Sequence, residues 1–117
     1  MNNPVQINLR GIAHSDALEQ YIGEEARNLG LICERIVRCH VIAEKVHAPK
    51  RQKAHFAVRL NLTLPGIEVA VDRDHGEDIY MAVRSAFEAA GRQLKNHMSR
   101  LGSSEHRPRN GKANPGR

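Results

Sequence analysis

Aromatic side chains are almost absent from this 117-residue sequence: Tyr21, Phe56, Tyr80 and Phe87 make up the set, and there is no tryptophan. The core must therefore be aliphatic. The same scarcity argues against a single-strand nucleic-acid binder of the stacking type, which needs an aromatic platform. Two cysteines, Cys33 and Cys39, make no disulfide framework in a chain long enough to bury a core of its own. No apolar run approaches the ~20 residues that cross a bilayer, and the first residues lack the charged segment and apolar stretch of a secretory signal. A cytoplasmic, reduced protein is expected, with no membrane partner.

Catalytic templates are missing as well. No glycine-rich loop follows a strand, no nucleophile elbow occurs, and no His or Cys cluster has zinc spacing. His40 and His55 are a conceivable metal pair across neighbouring strands, but without a third ligand. Asp72, Asp74, Glu77 and Asp78 lack the glycine and glutamate placement of a calcium loop and are explained by the start of a helix. The expectation is a protein without catalytic residues, cofactor, metal or small-molecule substrate.

What the sequence does have is segregated charge. Eighteen Lys and Arg stand against thirteen Asp and Glu, a formal net charge of +5. Residues 1–34 are acidic. From Arg35 to Arg59, seven bases face Glu44 alone, and in 68–78 five acids surround Arg73. Arg84, Arg92, Lys95 and Arg100 oppose Glu88, and the stretch after Leu101 is basic again. Such clustering favours an anionic partner over general solubility.

Periodicity supplies the fold. Val5, Ile7 and Leu9 alternate as a strand closed by Gly11. Ser15 then caps a helix whose stripe is Leu18, Tyr21, Ile22, Ala26 and Leu29, with Gly30 as its stop. A second strand puts Val37, Cys39, Val41 and Ala43 on one face and Ile36, Arg38, His40, Ile42 and Glu44 on the other. A basic loop over 47–53 leads to the alternating strand from His55 to Leu64, and the Pro65-Gly66 turn returns Ile67, Val69 and Val71 as a hairpin. Asp72–Asp78 reads as an acidic turn. It opens a long helix with Ile79, Val83, Ala86, Phe87, Ala90, Leu94, His97, Met98 and Leu101 on its stripe.

The order is β-α-β-β-β-α, an α+β domain. A four-stranded mixed sheet carries both helices on one face, and the first helix crosses over between parallel strands. The other face is left open with Arg38, His40, Arg59 and Asn61. Residues 1–101 form the folded domain, and 102–117 a disordered basic tail. Candidate RNA-binding residues are Arg38, Lys50, Arg51, Lys53, Arg59, Arg84, Arg92, Lys95 and Arg100. The loop tip and the end of the long helix reach phosphate without disturbing a core, and such contacts make binding salt-dependent.

Asp78-Ile79-Tyr80-Met81-Ala82-Val83, followed nine residues later by Arg92-Gln93-Leu94, resembles the signature of the ribosome hibernation-promoting factors, also called ribosome-associated inhibitors or sigma-modulation proteins. The Val5-Gln6-Ile7-Asn8 start and the Leu64-Pro65-Gly66 turn are similar to that family too, so the likeness spans residues 5 to about 101. It implies a short-form member that binds the small ribosomal subunit and its ribosomal RNA in the channel used by messenger and transfer RNA, silencing idle ribosomes under stress or in stationary phase. The dimerisation domain of the long form is not expected, and the partner-free state is expected to be monomeric. Arg92 matches the family's arginine and Tyr80 its aromatic, for which packing and RNA contact both stay open. The sequence departs from the family in its very basic loop tip and in Ala89-Ala90-Gly91, where relatives often carry charge. Two other readings remain: a protein-binding regulator, for instance of a transcription factor, using the open sheet face, and a generic double-stranded RNA binder, whose module shares the α-β-β-β-α order.

Overall fold

Alternation of Val5, Ile7 and Leu9 with Gln6, Asn8 and Arg10 produces β1 (Val5–Arg10), which ends at Gly11 with a φ of 70°, a conformation that favours glycine. The computed structural model describes residues 5–46, 55–76 and 78–106, with 74–75 and 100–106 given by backbone alone. The Ser15 hydroxyl accepts the Leu18 N–H at 3.2 Å and caps α1 (Asp16–Ile32), while Asp16 and Glu19 sit in the first turn, where the helix dipole favours acid. Three strands follow: β2 (Arg38–Val46), β3 (His55–Leu64) and β4 (Ile67–His75). Gly66, at φ 77°, closes the two-residue turn between Leu64 and Ile67 that proline begins. The Asp78 carboxylate accepts the Tyr80 N–H at 2.9 Å and opens α2 (Ile79–His106).

The sheet order is β1-β2-β3-β4. β1 and β2 are parallel, and the other neighbours are antiparallel. This is the expected β-α-β-β-β-α mixed sheet, with α1 as the crossover. Cys39, Val41, Ala43, Val58, Leu60, Leu62, Val69 and Val71 fill one face. Ile22 and Leu29 from α1, and Val83, Phe87 and Leu94 from α2, close over them. Each such side chain contributes roughly 1.5–3 kcal/mol by leaving water. Ala82, Ala86, Ala89 and Ala90 are all buried, and their small size lets α2 lie close to β3, β4 and α1. Phe56 N–H bonds the Gly76 carbonyl at 3.1 Å, so α2 begins at the end of the sheet where β2 leads to β3 and runs toward the β3–β4 turn.

Four details depart from the sequence expectation. α1 passes Gly30 and ends at Ile32, with the Cys33 N–H on the Leu29 carbonyl at 2.9 Å; burying Leu29 and Cys33 together requires that last turn. Ile36 is 1% exposed and Val37 47%, the reverse of the expected faces, because ladder pairing begins only at Arg38 and a turn at 34–35 feeds Ile36 into the core. The acidic segment expected as a turn extends β4, since β3 continues alongside it and sets Arg59 opposite Asp72. Finally, α2 runs through Gly102 to His106, where disorder was expected. Residues 107–117 lie outside the described residues.

Candidate RNA-binding surfaces

The expected basic residues fall in three places. Arg38 and Arg59 project from the open sheet face, opposite the layer occupied by the helices. Arg84, Arg92 and Lys95 are exposed on α2, and Arg100 belongs to α2 with only its backbone described. Lys50, Arg51 and Lys53 lie outside the described residues, between Val46 and His55, which pair in register at the end of the sheet where α2 starts. One flat RNA surface cannot lie on the open sheet face and on the outer face of α2 at once.

Electrostatics separates the two faces. On the sheet, the Arg59 Nε donates to Asp72 Oδ1 at 2.7 Å, which holds its guanidinium even more firmly charged. Arg73 donates to the Asp72 carbonyl at 2.9 Å, Thr63 Oγ1 donates to Glu68 Oε2 at 3.0 Å, and His40 shares a 2.6 Å hydrogen bond with Asn8 Oδ1. Arg10 and Glu44 border one shallow depression with Arg59 and Asp72. Arg59 there is compensated by Asp72. On α2 the Arg84 Nε meets Glu88 Oε2 at 3.2 Å, four residues on, whereas Arg92 and Lys95 have no ion pair among the described residues. These two, at i and i+3, are the available cations of the helix.

Beside them α1 and α2 enclose an open groove of about 500 Å³. Leu29, Ile32, Phe87 and Gly91 form its floor, Arg92 and Lys95 stand on the α2 side, and Glu25 and Asn28 on the α1 side. Burial raises the Glu25 carboxyl pKa above the usual range. Nearer the start of α2, Tyr80 meets Tyr21 edge to face, with ring centroids 5.2 Å apart and planes at 62°, so its ring packs between the helices while remaining 39% exposed. Sequence reasoning missed the groove. The signal was there: Gly91 falls four residues after Phe87, on the stripe turned to α1, where a missing side chain leaves a notch.

The conceivable metal pair does not form. His40 pairs with Asn61 and His55 with Val46, six positions apart along the ladder or roughly 20 Å. Among the described residues no group of three or more His, Cys, Asp or Glu is placed to hold a metal. Cys39 lies in the core, where burial pushes its thiol up to about 11, so it packs as a small apolar side chain. Asp78 is a helix cap. Glu77 lies outside the described residues. None of the described helices is long and apolar enough to cross a membrane.

The family model described as sigma 54 modulation protein / S30EA ribosomal protein matches residues 5–102. Among solved structures, a ribosomal subunit interface protein from Coxiella burnetii superposes with a TM-score of 0.69 at 19% identity, covering 81% of this chain and 97% of that one. The Protein Y N-terminal domain from Thermus thermophilus superposes with a TM-score of 0.62 at 21% identity, covering 83% and 99%. At those identities the two structures establish a shared fold. No curated protein matches the chain. The chain belongs to the sigma 54 modulation protein / S30EA ribosomal protein family.

Proposed function

We propose, from that membership, that this protein is a cytoplasmic ribosome-associated translation inhibitor. It binds the RNA of the small subunit as a monomer and acts by occupying the messenger and transfer RNA channel, without chemistry. The observation that carries the reading is the pair Arg92 and Lys95, exposed on α2 and without ion-pair partners among the described residues, in a member of a ribosome-associated family. Backbone phosphates supply the affinity of such a surface, and the shape of folded RNA selects the site. Lys50, Arg51 and Lys53 add positive charge to the chain, while the pairing of Arg59 with Asp72 gives the sheet a lesser part.

That pairing favours one second reading, a protein partner such as a transcription factor on the open face. Sucrose-gradient sedimentation of a stationary-phase lysate separates the two. The protein is expected with small subunits or whole ribosomes at low salt, leaving them as salt rises. Recovery in a smaller protein complex, or in the soluble fraction at every ionic strength, overturns the ribosome reading.

A further inference from the structure

Gly91 is an anomaly. It lies inside α2, where glycine is the least favourable residue after proline, yet its backbone has no need of it: a Cβ there would stand 3.7 Å from Ile32 Cδ1 and 3.9 Å from Leu29 Cδ2. Those are ordinary contact distances, so a side chain fits. Its absence relieves no clash and leaves the groove between α1 and α2 unfilled. A residue that breaks a local rule without relieving strain points to function.

The groove has three different chemistries on three sides. Its floor is carbon, from Leu29, Ile32 and Phe87. Arg92 and Lys95 stand together on one rim, and the partly buried carboxylate of Glu25 stands on the other. Glu88, which shares the rim, is already engaged by Arg84. Two adjacent cations suit a phosphate. A carboxylate facing them repels phosphate but accepts hydrogen bonds from an amine. A ribonucleotide presents all three complements in one unit, and about 500 Å³ falls within the range of small-ligand clefts, about 300–1,000 Å³.

We propose that this groove is a subsite for one unpaired RNA nucleotide, its phosphate against Arg92 and Lys95, its base on the Leu29–Ile32–Phe87 floor, and the base's exocyclic amine donated to Glu25. The inference rests on the reading above that α2 meets RNA, and adds to it a preference: adenine, guanine and cytosine carry that amine and uracil does not. Such a subsite holds one base on a floor with a single aromatic, Phe87, and is no platform for successive stacks, consistent with the scarcity of aromatics.

The test titrates the full chain, at low salt, with single-stranded tetracytidylate and tetrauridylate, following the Gly91 amide and Ile32 methyl resonances. Cytosine and uracil match in size and differ at position 4, an amine against a carbonyl, and at N3, which carries a hydrogen only in uracil. Tetracytidylate is expected to shift both resonances and to bind about tenfold more tightly, the effect of one hydrogen bond to a charged acceptor. Glu25→Ala removes the preference. Gly91→Leu fills the groove and removes it too, and Gly91→Ala, whose Cβ fits, verifies that the helix pair tolerates substitution by keeping its thermal midpoint. Equal affinity for the two oligonucleotides overturns the subsite, as does a preference that survives both Glu25→Ala and Gly91→Leu. A tetraglutamate peptide shifting the groove resonances more than tetracytidylate also overturns it, in favour of a protein ligand. Should the chain leave ribosomes at every salt while preferring tetracytidylate, the ribosome reading fails and the subsite stands.

Discussion

The two helices share a task on their inner faces and diverge on their outer ones. α1 buries Leu18, Ile22, Ala26 and Leu29, and α2 buries Val83, Ala86, Phe87, Ala90 and Leu94, over the same sheet face. Outside, α1 shows Asp16, Glu19, Glu24 and Glu25 against Arg27, whereas α2 shows Arg84, Arg92 and Lys95 against Glu88. Neighbouring helices of opposite sign make a step in potential across the groove between them. A polyanion is steered to one side of the helical layer and repelled from the other. The net charge of +5 hides this, since the acid of α1 cancels base elsewhere without shielding Arg92 and Lys95.

Inner-face equivalence has the largest expected effect. Ile22→Ala and Leu94→Ala, each at a position with 0% exposure, should destabilise by about 2–5 kcal/mol apiece, measured by urea unfolding. A marked inequality would show that one helix carries the core alone.

Outer-face divergence comes next. Arg92→Glu with Lys95→Glu should release the protein from ribosomes at moderate salt and flatten the salt dependence by about two units of slope, with stability held within about ±0.5 kcal/mol. Reversal of Lys50, Arg51 and Lys53 should weaken binding in the same way, and loss of Arg107 and Arg109 should weaken it less. On α1, Arg27→Glu should leave sedimentation unchanged. Equal losses from Arg27→Glu and from the α2 pair would erase the distinction between the helices.

Smaller effects belong to the start of α1. Ser15→Ala removes the acceptor for the Leu18 N–H and should cost about 1 kcal/mol. His14, exposed, lies 2.9 Å from Asp16 Oδ1 and 3.1 Å from Glu19 Oε2. Its pKa is raised above 6.5, first by the Asp16 hydrogen bond and then by Glu19. A raised folded-state pKa stabilises the protonated fold, so this contribution is full below pH 6.5 and fades as pH rises through the raised value. His14→Gln should abolish a small fall in thermal midpoint between pH 6 and 8 without changing ribosome binding.

Periodicity made the strands and helices legible because burial on one face imposes it. Cys39, Leu60, Val71 and Leu94 lie where alternation or helical spacing puts them. Local pattern fails where a partner decides. Asp72 looks like turn chemistry until Arg59 stands opposite, and Ile36 changes faces because the ladder starts two residues later. The candidate site was half legible: Arg92 and Lys95 could be named from charge and spacing. That Arg59 is neutralised by Asp72, or that Gly91 opens a groove against Ile32, depends on residues distant in sequence, which no local pattern contains.

The parallel pairing of β1 with β2 has a consequence for biogenesis. β1 is made first but finds its neighbour only after α1 and β2 exist, and the part of the apolar sheet face that α2 covers stays bare until α2 has been synthesised through Leu94. Chain growth runs from the N-terminus, so β3 and β4 are complete before the helix that covers them. Arg92 lies two residues before Leu94, the last fully buried side chain among the described residues. The cations thus emerge with the segment that completes the core, and a prematurely terminated chain lacking that segment is both a poor ribosome ligand and a sticky one.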